Sequence, residues 1–208
     1  MHISDDGAHE TCYHICLPRG GVATCSTACF PATATVETES GKRVQMSNLR
    51  VDDVVRVGPS DFSAIHGFTH AESETTEFFV QMTTAFGALT CTPDHYIYAD
   101  SRLIPAMQAT VGMSLTSANG TQHVITQISS IKAKGIYNPH TLTGDIVVDG
   151  YQTSTYTIAA PPALAHALLW PARAVYAMTG LNVIAPLHAH GLPLTISHFL
   201  PSPTTTAA

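Results

Sequence analysis

The 208-residue chain is 45% apolar, only 12% charged and carries a formal net charge of −6. This composition supports a packed core and excludes wholesale disorder, and the acidic balance excludes nucleic acid, whose phosphates need a basic face. No apolar run reaches the roughly 20 residues that span a bilayer; the longest, 158–178, is broken by Pro161, Pro162, His166, Pro171 and Arg173.

Residues 1–28 read as a separate segment, rich in Gly, His and Cys, with no sustained period. Its opening, MHISDDGAHETCYHIC, is polar and acidic where a signal peptide needs an apolar run. The expectation is a cytosolic chain, or a piece of a longer secreted precursor. Four of the five cysteines (Cys12, Cys16, Cys25 and Cys29) lie here or at its border, and Cys91 stands alone. From Thr33 the pattern changes. TATVET alternates, Ser40-Gly41 reads as a turn, and KRVQMSNLRVDDVVRVG is a second apolar stretch. EFFVQMTT (77–84), GALTCT (87–92), HYIYA (95–99) and HVITQISSI (123–131) are short β-rich runs. Asp149-Gly150, between GDIVV and YQTSTYT, marks a hairpin. The expectation is an all-β domain over 29–158. RVQMSNLRVDDVV (43–55) and RLIPAMQATVGMSL (102–115) echo one another, pointing to two similar β subdomains rather than a sandwich. Residues 159–199 form an apolar, partly helical extension. Leu164, Leu168, Leu169, Ala172, Val175 and Tyr176 fall on one side, Gly180 stops the pattern, and Pro171 kinks or splits it. Residues 200–208, ending in PSPTTTAA, read as a disordered tail.

Three chemistries compete for the cysteines. Cys12-x3-Cys16 and Cys25-x3-Cys29, with His9 and His14, have a spacing that zinc permits, although Phe30-Pro31 is poor knuckle chemistry. A disulfide among Cys12, Cys16 and Cys25, or inert thiols in a leader, are the blander readings. The third is a nucleophile. The thiol of Cys29 lies beside the carbonyl of Ala28, and attack there gives a thioester by an N-to-S acyl shift. Water favours the amide, so the fold must strain or polarise that amide and protonate its nitrogen. Thr92 and His95, T-x-x-H on a Pro-containing turn, offer a hydroxyl and an imidazole for that work.

The order of four stretches is similar to that of the Hint module shared by hedgehog C-terminal regions and inteins, in its Hog-like, non-animal form. CFPATATV resembles the opening block, MSNLRVDDVVRV the next, LTCTPDHYIYA the block carrying T-x-x-H, and IYNPHTLTGDIVVDGYQTSTYT the closing block. The resemblance covers Cys29 to about Thr157. It implies a pseudo-twofold all-β fold with a C-terminal helical extension, and a single-turnover cysteine autoprotease cleaving Ala28–Cys29. Cys29 matches the nucleophile, and Thr92 and His95 match the pair that binds and protonates the scissile amide. His70 in GFTHAES stands where hedgehogs place an aspartate that activates the acceptor. Thr155 stands where a cysteine is common in the last strand, and Ala28 where glycine is common.

Asp94 would orient a neighbour or serve the turn, and His140 in NPHTL reads as a loop residue with a supporting role. Cys91 reads as a buried core thiol. His188, His190 and His198 lie beyond the core and read as solvated. No His-Asn pair occurs, so splicing is not expected. The substrate is then the chain's own N-terminal segment, and the acceptor is water, a thiol or an alcohol, a sterol included. No cofactor is required, and zinc is the one metal the spacing admits. Residues 159–199, with Trp170, Tyr176 and Phe199, either meet a sterol or membrane or pack on the β domain itself. Two other functions stay open: a Hint-fold module that no longer cleaves and serves structure or binding, and a zinc module built on the N-terminal cysteines.

Overall fold

The computed structural model describes residues 15–19, 22–26, 29–157 and 162–181. In the first 28 residues it pairs β1 (Ile15–Arg19) antiparallel with β2 (Val22–Ser26). No period in the sequence announces these strands, although the Gly20-Gly21 step between them is turn chemistry. The side-chain site imagined for zinc, with His9, Cys12 and His14, lies outside the described residues.

From Cys29 the chain is all-β and built twice. The first unit runs β3 (Thr35–Glu37), β4 (Arg43–Gln45), a 3₁₀ turn at Met46–Asn48, β5 (Val54–Arg56) and β6 (Phe62–Thr84). After β7 (Gly87–Cys91) and β8 (His95–Ala99), the second repeats it. It has β9 (Arg102–Pro105), a 3₁₀ turn at Ala106–Gln108, β10 (Ser114–Thr116) and β11 (Gln122–Thr141). The hydrogen bonds repeat too. Asp52, at φ 78°, donates to Ile65 O and Ile65 donates to Asp53 O. Gly112, at φ 98°, donates to Ile125 O and Ile125 donates to Met113 O. The internal echo of the sequence is therefore a structural pseudo-twofold.

A hairpin, β12 (Asp145–Val148) and β13 (Tyr151–Thr157), turns at Asp149-Gly150 as its sequence requires, both residues at positive φ. The main sheet runs β12-β13-β8-β10-β11-β6-β5, with β7 added to β6 and β9 to β8. Its two ends approach each other. The carboxylate of Asp149 accepts from the N–H and hydroxyl of Thr35 at 2.8 and 2.9 Å, tying the closing hairpin to β3. Inside, Phe30, Val55, Ile65, Met82, Ile97 and Ile125 are fully buried. Each such side chain contributes roughly 1.5–3 kcal/mol by leaving water.

Two elements differ from the sequence expectation. β6 spans 23 residues and β11 spans 20, far beyond the short runs at 77–84 and 123–131. They pair with each other along most of their length. The middle of this arm is polar on both faces, as in THAESETT, so no apolar alternation marks it. His140 accordingly sits in a strand, not in a loop, and His70 lies on the same arm.

The C-terminal extension splits at the proline as expected, into α1 (Pro162–Leu168) and α2 (Trp170–Thr179), capped by Gly180 at φ 70°. No helix among the described residues is long and apolar enough to cross a membrane. The expected apolar face docks only at its C-terminal end. Leu164 and Leu168 are exposed and Leu169, Ala172 and Val175 half-buried, whereas Tyr176 is buried, as is Arg173, which lies outside that face. α2 docks through polar groups: Tyr176 OH donates to Asp52, and Arg173 donates to Leu142 O at 3.3 Å and His166 O at 2.8 Å. Tyr156 OH meets His166 Nδ1 at 2.7 Å. Beneath them His66, 2% exposed, lies 6.1 Å from the Tyr176 ring and 6.2 Å from that of His140. Desolvation, then the charge of Arg173, lowers His66 to about 4 from 6.5.

The unfolded chain takes up a proton at His66 near its ordinary value, while the folded chain refuses it until about 4. Stability from this group is whole above that ordinary value and is lost as pH falls toward 4, by at most roughly 3 kcal/mol. His66→Gln should flatten that part of the stability–pH curve, read by urea denaturation at several pH values.

Candidate active site

Cys29 is anchored through its neighbours toward the C-terminus. Phe30 and Tyr137 exchange backbone hydrogen bonds of 2.8 and 3.0 Å, and Ala32 donates to Lys134 O at 3.1 Å. This close approach is possible because residue 135 is glycine, at φ +82°. A Cβ there would stand 2.6 Å from that of Ala32 and 2.9 Å from the Tyr137 ring. The Cys29 side chain is fully buried and packs with Phe79 and Ile136.

The T-x-x-H turn faces it. The Cys29 N–H, which belongs to the Ala28–Cys29 amide, donates to Thr92 Oγ1 at 2.8 Å. The Thr92 N–H donates back to Cys29 O at 2.9 Å. Three residues on, the His95 N–H closes the turn on Thr92 O at 3.2 Å. His95 is fully buried, its ring 4.2 Å from that of Phe30. His95 Nε2 donates to the Ser154 carbonyl at 2.7 Å, so Nδ1 is the nitrogen left to exchange a proton. Cys29, Thr92 and His95 are thus brought together; Ala28 lies outside the described residues.

The other sequence candidates separate. Asp94 rides on the turn itself, half-buried. Thr155 is buried on β13 and donates to Gly144 O at 3.2 Å, a strand-closing role. His140 is buried on β11, with Nε2 3.0 Å from Thr69 Oγ1. His70 lies on β6 opposite Asn138, which stands one step beyond Tyr137. Cys91 is a fully buried thiol pushed upward by desolvation, a core residue as expected. Two parts of the site escape sequence reasoning. The Ser154 carbonyl that fixes His95 is main chain and carries no side-chain signal. Asn138, buried toward the end of β11, falls within the closing stretch IYNPHTLTGDIVVDGYQTSTYT, where nothing singles it out.

This arrangement defines a class: a pseudo-twofold β module with a cysteine at its first core position, clamped by a T-x-x-H turn. The Hint module profile matches residues 18–193. The chain belongs to the Hint module family. It is 30% identical over 193 residues to Warthog protein 1 of Caenorhabditis elegans, covering 86% of this chain and 39% of that protein. It is 30% identical over 165 residues to Protein hedgehog of Drosophila virilis, covering 72% of this chain and 34% of that one. The chain therefore spans well under half the length of these relatives. Among solved structures, the gp41-1 intein aligns at TM-score 0.54 and 14% identity, over 62% of this chain and 99% of the intein. A DnaB intein from Synechocystis aligns at 0.52 and 11%, over 61% and 97%. At these identities the inteins establish the fold.

Gly135→Ala should destabilise the domain by roughly 2 kcal/mol or more, from positive-φ strain and the clash with Ala32. Urea unfolding against wild type measures this directly.

Proposed function

We propose that this domain cleaves its own Ala28–Cys29 bond. One observation carries the reading: the amide nitrogen of that bond is held at 2.8 Å by Thr92 Oγ1, on the turn that presents His95. The Cys29 thiol attacks the Ala28 carbonyl carbon, and the C–N bond breaks as the C–S bond forms. The thiol must lose a proton and the departing nitrogen must gain one; His95 Nδ1 takes it from the sulfur and delivers it to the nitrogen. The Ser154 carbonyl keeps the ring in register through both protonation states, since Nε2 carries a hydrogen in each. Thr92 holds the nitrogen in place as it turns from planar amide to amine.

The thioester is then captured by water or an alcohol, a sterol among them, with His70 as the base, or by a thiolate, which needs none. Release of residues 1–28 is the outcome, without splicing and without a metal. The hedgehog resemblance supports a parent protein that enters the secretory pathway, and the exposed apolar residues of α1 and α2 support contact with a membrane or lipid acceptor. The alternative is an inert Hint module, supported by the threonine at position 155.

The experiment is intact-mass spectrometry of the full chain with and without dithiothreitol. The expected products split between Ala28 and Cys29, and Cys29→Ala gives none. His95→Ala should slow dithiothreitol-driven cleavage at least about 100-fold, and Thr92→Ala about 10- to 100-fold. A folded wild type that stays whole under thiol leaves only the inert module.

A further inference from the structure

We propose that Glu72 is a positioning residue for His70, and that the two form a carboxylate–imidazole dyad that activates the water resolving the Cys29 thioester. This rests on the acyl-shift reading above and assigns its second half.

The register places the groups. Phe30 pairs antiparallel with Tyr137, so Cys29 stands opposite Asn138, and Asn138 pairs with His70. Paired residues on neighbouring strands share a face, and strands lie about 4.8 Å apart, so His70 stands on the Cys29 face about 10 Å across. Glu72 is two residues further along β6, on that same face. Its Oε1 lies 3.7 Å from His70 Nδ1. Its Oε2 accepts from the Thr75 hydroxyl at 2.8 Å, which holds the carboxylate beside the ring. Lys134, the nearby cation, engages Glu74 at 2.6 Å instead. Asn138 stands between Cys29 and His70 in the register. It is 3% exposed, its Nδ2 donates to Thr69 Oγ1 at 2.8 Å, and its Oδ1 has no hydrogen-bond donor among the described residues. The attacking water would supply that donor.

The chemistry rests on the tautomer. A carboxylate beside Nδ1 keeps the proton there and the lone pair on Nε2. Nε2 takes a proton from water as its oxygen attacks the Ala28 carbonyl carbon. The C–S bond breaks, and Cys29 leaves as thiolate and regains a proton from the imidazolium. Glu72 stabilises that imidazolium and holds the ring in place. The groups facing His70 are Glu72 on its own strand, Asn138 and, through Thr69, His140 on β11, and Cys29 from the chain's leading edge.

The test uses the full chain refolded from denaturant, as wild type, Glu72→Gln, Glu72→Asp, His70→Ala and the double variant His70→Ala/Glu72→Gln. Dithiothreitol brings its own thiolate and needs no base, so it reports the acyl shift alone. Hydrolysis in thiol-free buffer reports the dyad. Glu72→Gln should leave dithiothreitol cleavage within about twofold, slow hydrolysis about tenfold and move the midpoint of its pH–rate curve down by about half a unit or more. Glu72→Asp should recover part of that rate, and the double variant should hydrolyse no slower than His70→Ala. Equal loss in both branches, or no change in either, overturns the dyad. A wild type uncut by dithiothreitol sinks the acyl-shift reading by itself. The dyad is then judged on the NMR titration of His70, where an unmoved midpoint in Glu72→Gln overturns it.

Discussion

Everything at the site depends on two reciprocal hydrogen bonds between Cys29 and Thr92. Both are main-chain donors, both are buried, and together they fix the cysteine's amide nitrogen and carbonyl against one turn. A buried N–H left unpaired costs about 1–3 kcal/mol, so the clamp does not open casually. The turn is fixed in its own right. Pro93 presets its backbone, His95 closes it on Thr92 O, and Met107 of the second 3₁₀ turn donates to Pro93 O at 2.8 Å. The cysteine is therefore held by the opening strand, and its acid by the second structural repeat.

That division explains why the fold is built twice. One repeat alone would present a half-covered set of strands and a cysteine with no facing turn. Crossing β6 with β11 lets each repeat cover the other, and brings Tyr137 beside Phe30 while β8 arrives with His95 beneath it. The Asp149–Thr35 bonds then draw the closing hairpin against the first unit. β13 runs beside β8, and its Ser154 carbonyl fixes the imidazole. Cys29 is thus placed by the Phe30–Tyr137 bridge, Thr92 by the turn between β7 and β8, and His95 by β8 and β13.

How much of this is visible in the residues depends on which physical signal carries it. Period-two alternation exposes the strands that bury one face, and Asp149-Gly150 exposes its hairpin, because both are local. The echo between 43–55 and 102–115 is legible because each repeat needs the same strand, 3₁₀ turn and strand. The middle of the β6–β11 arm is not legible. With both faces partly wet, residues 69–77 lose the alternation that marks a strand, and His140 looks like a loop residue beside Pro139. The helical face misleads for a related reason. Counting Leu164 and Leu168 assumes that apolar burial drives docking, whereas Arg173 and Tyr176 dock α2 through hydrogen bonds. Cys29, Thr92 and His95 can be named from motif order, but the Ser154 carbonyl and Asn138 become apparent only when register is known.

The acyl shift runs uphill in water, so a domain that only formed the thioester would mostly return to amide. What decides the product is the capture step, and the two steps sit on different parts of the fold. The amide side is buried, apolar around the Cys29 sulfur and lined by Phe79 and Ile136. On the proposed reading, capture takes place along a strip of the arm that carries Asn138, His70 and Glu72, where Asn138 is buried and His70 and Glu72 are half-buried. On the proposed reading, the base at position 70 is an imidazole, and Glu72, two residues further along the same strand, is the carboxylate that orients it.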